Sequence, residues 1–139
     1  MDKTHPSETL GVFKPVGHTV IVYRSAADMQ VAVSALIEKG FAYSALVLYT
    51  PEEMKSQVDA ELRAASPLAA FGYELDLIKS HRALAQRGCS FLIVHAPDNA
   101  RADRVAAVAR STKAAAAYHY GTFMIEELTD LNPGETPGS

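Results

Sequence analysis

The stretch HTVIVYRSAADMQVAVSALIEKG, residues 18–40, reads as a strand, a capped turn and a helix in direct succession. TVIVY, at 19–23, is a β-branched run suited to a pleated, buried surface. Ser25 is placed to cap the following helix, and Asp28 sits where the helix dipole favours negative charge. Met29, Val33, Leu36 and Ile37 recur at helical spacing, and Gly40 is a natural residue to close the helix. CSFLIVHAPDNARADRVAAVARS, residues 89–111, repeats the pattern. FLIV is its strand, Asp98 its cap, and Val105 and Val108 face inward on a helix running to about residue 112. Two such halves, each followed by another strand, are what a ferredoxin-like split β-α-β sheet requires.

The remaining segments complete the order. Residues 45–49 (ALVLY) make the second strand, and Thr50-Pro51-Glu52-Glu53 opens a helix with a capping box and a proline in its first position. Ser66-Pro67 ends that helix and caps the next, which runs to Gly88. Residues 118–128 make a long fourth strand with Gly121 as a bulge. The sequence thus predicts an α+β fold, β-α-β-α-α-β-α-β, with a helical hairpin over 51–87 inserted into the ferredoxin-like sheet. Residues 13–128 form this single domain, between a flexible N-terminus at 1–12 and a flexible tail at 129–139.

The first and third strands are apolar at every position, so both faces of the sheet need a cover. Two helices serve one face; the helical hairpin or a second subunit serves the other. A homodimer is expected, with Tyr118, His119 and Tyr120 on an edge strand as interface candidates or, alternatively, as a wall of a ligand cleft.

Composition removes several classes of function. The chain of 139 residues is 48% hydrophobic and 21% charged, as a globular domain is, and its net charge of −3 offers no basic field for nucleic acid or anionic lipid. Cys89 is the sole cysteine, which excludes an intramolecular disulfide and a cysteine zinc cage. The start MDKTHPSETLGVFK lacks the apolar h-region of a signal peptide and no apolar run approaches the length of a membrane span, so a cytoplasmic protein without nucleic-acid or membrane partners is expected.

One polar cluster stands out. In FGYELDLIKSHRALAQRG, residues 71–88, Glu74, His81 and Arg82 fall inside the apolar arc of an otherwise amphipathic helix, and Glu61 projects from the apolar stripe of the preceding one. The first expectation is a buried network, Glu61 or Glu74 accepting from Arg82 and His81 across the hairpin. The alternatives are a ligand pocket lined by the same four residues, or a Glu/His metal site. Glu74 and His81 are seven residues and about 10.5 Å apart along the axis, too far to share an ion, so no metal is expected. His18, His95 and His119 lie on three different strands and would meet only through a fortunate register.

Nucleophile elbows, P-loops and dinucleotide fingerprints are absent, and no catalytic residue or cofactor is assigned. Cys89 reads as a small core residue, of interest only were His81 or Arg82 to lower its pKa. RGCSFLIV, residues 87–94, partly matches the RNA-recognition strand pattern. Cys89 and Val94 replace two of its three base-stacking aromatics, which argues against RNA.

The first half, with its strand, its A…A…L…GF helix and its second strand, resembles the heat-induced, YflT-like stress-response domains of bacteria. The start FKPVGH (13–18) and the end YGTFMIEEL (120–128) resemble a family of uncharacterised proteobacterial proteins. The resemblance implies a stress or regulatory role and supplies no catalytic residues. The expected function is a non-enzymatic cytoplasmic domain acting through a protein or small-molecule contact. The alternative is a small sensor or enzyme with Glu74 and His81 as acid-base groups in a pocket between sheet and hairpin.

Overall fold

The structure, a computed structural model, describes residues 8–9, 12–13, 15–64, 73–121 and 124–128. Its elements are β1 (Glu8–Thr9), β2 (Val12–Phe13), β3 (His18–Tyr23), α1 (Ala26–Glu38), β4 (Leu46–Tyr49), α2 (Pro51–Ala64), α3 (Tyr73–Gln86), β5 (Ser90–His95), α4 (Asn99–Ser111), β6 (Ala114–Tyr120) and β7 (Ile125–Glu127). Five strands form one antiparallel sheet in the order β4-β5-β3-β6-β7. β1 and β2 pair separately, within and beside the stretch expected to be loose, and β2 lies against α2 and α3.

Local hydrogen bonds set the helix limits where the side chains predict them. Ser25 Oγ accepts from the Asp28 amide at 3.1 Å, and Asp98 Oδ1 accepts from the Arg101 amide at 2.8 Å. Thr50 and Glu53 exchange bonds of 3.0 and 3.1 Å, the reciprocal capping box. Helices α1 and α3 close alike. The Phe41 amide donates to Leu36 O and the Gly40 amide to Ile37 O, just as Cys89 donates to Leu84 O and Gly88 to Ala85 O. Gly40 and Gly88 stand at φ +95° and +89°, the left-handed conformation this Schellman closure needs. Residues 66 and 67, expected to separate α2 from α3, lie outside the described residues.

Side chains alternate across the sheet and build two cores. Ile21, Tyr23, Leu92 and Val94 pack against Met29, Val33 and Leu36 of α1 and Val105, Val108 and Ala109 of α4. On the other face, Val20, Val22, Phe91, Ile93 and Tyr49 pack against Met54 and Val58 of α2 and Leu77, Ile78 and Ala85 of α3. Each fully buried aliphatic side chain contributes about 1.5–3 kcal/mol relative to exposure. The helical hairpin therefore covers the second face within one chain, and an uncovered face is no longer a reason for a second subunit. Ile37, expected on the inner face of α1, is instead exposed.

The C-terminal strand differs from its expected form. Strand β6 begins at Ala114, and the chain turns after Tyr120, with the Gly121 amide donating to Met124 O at 2.9 Å, before returning as β7. Gly121 is thus a turn residue, and the irregularity in the ladder falls opposite Val22 and Tyr23 instead. Strand β6 lies between β3 and β7 and is not an edge. Among the described residues, no helix is long and apolar enough to cross a membrane.

Candidate functional site

The space between the sheet and the α2–α3 hairpin holds the buried polar groups that packing alone does not explain. His81, on the inner face of α3, is 0% exposed. Its ring meets Phe91 edge-on at 5.5 Å between centroids and Tyr118 at 5.8 Å. Neither ring nitrogen has a hydrogen-bond partner among the described residues. Burial pushes its pKa down to about 4, so the imidazole is neutral at pH 7. A neutral imidazole carries one donor and one acceptor, and leaving either buried and unmet costs about 1–3 kcal/mol.

Glu61 on α2 is also buried, at 4% exposure, and accepts from Gln57 Nε2 one helical turn earlier. Tyr49, Tyr118 and Tyr120 line the same side of the sheet and are buried. The tyrosines expected at an interface are therefore core residues of this chain. Their neighbour His119 points to the α1/α4 face, where its Nδ1 lies 2.8 Å from Thr19 Oγ1, and burial lowers its pKa.

Arg82 does not join His81. One residue further round the helix, it leaves the core, and its Nε donates to Asp59 Oδ1 of α2 at 2.7 Å, with both side chains partly exposed. That bond, with the nearby positive charge, holds the Asp59 carboxyl below the usual range. The expected network of Arg82 and His81 with buried glutamates is thus replaced by a surface pair and a separate buried histidine. The physical reason is angular: adjacent helix residues are about 100° apart, and the arc buried against a sheet is narrower than the apolar arc of the sequence. Glu74 belongs to α3, but its side chain lies outside the described residues. Asp59 and Gln57 were missed. Gln57–Glu61 is legible as an i, i+4 pair, whereas Asp59 signals nothing until α2 and α3 are docked.

Outside the hairpin, Asp59, Leu62, Arg63, Lys79, Arg82, Ala83 and Gln86 line an open groove of about 670 Å³. Cys89 is buried in the core on the hairpin side of the sheet, and burial pushes its thiol pKa up. Phe91, the aromatic shared with the RNA-recognition pattern, is fully buried beneath the hairpin, so no base can stack on it in this arrangement.

A second pair of histidines is brought together by register. His18 of β3 stands directly opposite His95 of β5, with ring centroids 4.9 Å apart. His18 Nδ1 lies 3.0 Å from Val16 O, and burial, more than the neighbouring His95, lowers its pKa. Among the described residues, no group of three or more histidine, cysteine, aspartate or glutamate side chains is placed to hold a metal. Comparison of the chain with family models, curated proteins and solved structures returns no match.

Proposed function

We propose that this chain is a non-enzymatic regulatory domain that binds a small, neutral, hydrogen-bonding molecule between its sheet and the α2–α3 hairpin. The observation that carries this reading is His81: fully buried, flanked by Phe91 and Tyr118, and unpartnered at both nitrogens among the described residues. Buried polar groups are nearly always met by protein, water or ligand. A flat heteroaromatic with adjacent donor and acceptor matches two aromatic walls and one neutral imidazole. Binding is favoured over catalysis because a base of pKa about 4 is poorly matched to proton transfer near pH 7.

The strand order supports reading β3-α1-β4 and β5-α4-β6 as the two halves of a ferredoxin-like sheet, with the α2–α3 hairpin as its insertion. A stress-response setting rests on the resemblance of the first half to the heat-induced domains. A homodimer keeps one ground, the outer edge of β4, which ends the sheet. A monomer by light scattering at high micromolar concentration removes it.

The test is ligand-observed NMR with neutral heteroaromatic fragments (indole, benzamide, 2-pyridone) against wild type and His81→Phe. At least one fragment is expected to bind wild type and to lose that binding in a variant that melts no lower. Equal binding by both proteins, or none to wild type, refutes the reading.

A further inference from the structure

We propose that His18 and His95 form a two-imidazole site for a borderline divalent cation of the zinc or copper(II) type, at the end of the sheet near the turn that precedes β4. The two residues are opposite partners in one cross-strand pair, each two positions along its strand from a residue of the hairpin-side core, Val20 or Ile93. One residue further out, the Ala96 amide donates to Gly17 O at 2.9 Å. Hydrogen-bonded and non-hydrogen-bonded pairs alternate along an antiparallel ladder. His18 and His95 therefore form the non-hydrogen-bonded kind, whose side chains stand closest.

The separation of the rings suits chelation. With metal–nitrogen bonds of about 2.0 Å and a tetrahedral angle, the centroids of two ligating imidazoles lie roughly 5 Å apart. The observed value is 4.9 Å, with the ring planes inclined by 41°. The tautomer is also arranged. The contact of His18 Nδ1 with Val16 O is a hydrogen bond only when that nitrogen carries the proton, which leaves Nε2 as a lone pair. A backbone carbonyl behind one nitrogen, with the other nitrogen free, is the usual support of a metal-ligating histidine.

There is room for the ion. His18 and His95 line a recess of about 120 Å³ together with Ser44, Ala45 and Val47. Its neighbour, of about 340 Å³, shares Ala45 and His95 and opens toward Phe41, Arg101 and Arg104. Two protein nitrogens leave coordination positions for water or an incoming anion, so the site belongs to the exchangeable class and not to closed structural cages. Among the described residues, glutamate and aspartate are absent from both linings, which disfavours magnesium and calcium, ions that require oxygen ligands.

Isothermal titration of tag-free protein with zinc chloride and, separately, copper(II) chloride at pH 7 tests this. One equivalent is expected to bind in the micromolar range and to raise the melting temperature, because the ion ties β3 to β5. His95→Ala, at an exposed position, is expected to weaken binding at least about ten-fold and to abolish the thermal shift. His119→Gln and His5→Gln are expected to bind as wild type. The proposal is overturned by the absence of saturable sub-millimolar binding to wild type. Unchanged affinity in His95→Ala, or loss of binding in His5→Gln instead, overturns it equally.

Discussion

Arg82 Nε donates to Asp59 Oδ1 at 2.7 Å across the two helices of the hairpin, and water reaches both side chains. The pair fastens α2 to α3 at their outer margin, away from the core that His81 enters.

Arg82→Ala is therefore expected to lower the melting temperature by less than roughly 4 °C, since exposed ion pairs contribute little. Raising the salt concentration should shrink the difference further. Thermal melts of both proteins in low and high salt check this. A large, salt-insensitive loss would mean that Arg82 also holds a buried carboxylate.

His81 predicts an acid sensitivity of definite sign. The folded protein holds this imidazole at a pKa of about 4, below the ordinary 6.5, so between those values the unfolded chain takes up a proton that the folded chain refuses. The contribution of His81 to stability is then flat above about pH 7 and falls as pH drops from about 6.5 toward 4, by about 3 kcal/mol in total. His81→Phe should remove this component of the slope, and at pH 7 should be as stable as wild type or more so. Urea unfolding at pH 4.5, 5.5 and 7 measures both effects.

Thr50→Ala should destabilise by about 1 kcal/mol, because it removes one half of the capping box that starts α2. Denaturant melts at pH 7 give the value directly. The bond lost joins a backbone amide to an uncharged hydroxyl, so the loss should depend little on salt.

Gly40→Ala should cost about 1 kcal/mol or slightly more. Among the described residues, no atom beyond the chain neighbours of Gly40 lies within 4 Å of the added methyl group, so the effect comes from holding alanine at φ +95°. Gly40→Asn should cost less, because asparagine tolerates that conformation. Comparing the two variants by urea unfolding separates backbone strain from side-chain crowding.

Caps and closing glycines were legible because each depends on bonds spanning three to five residues, as Ser25, Thr50, Asp98, Gly40 and Gly88 show. The start of β6 was not. Residues 114–117 are four alanines, good helix formers by intrinsic preference. What makes them a strand is pairing with Tyr23, Val22 and Ile21, almost a hundred positions away. The candidate site divides the same way. The inward position of His81 follows from helical period alone, but the partner of Arg82 follows from how two helices dock. The meeting of His18 and His95 follows from register, and the spacing of residues 18 and 95 in the chain says nothing about it.

Helices α2 and α3 follow each other in the chain between β4 and β5, and those strands are paired with each other directly. Lifting the hairpin from the sheet would therefore break none of the ladder bonds between β3, β4, β5 and β6. It would leave α1 and α4 seated on the opposite face. Such an element can open as a cooperative unit at a free energy below that of global unfolding. That opening would uncover Phe91 and His81 together, and a molecule seated against them would slow amide exchange throughout α2 and α3 while leaving the central strands as they were.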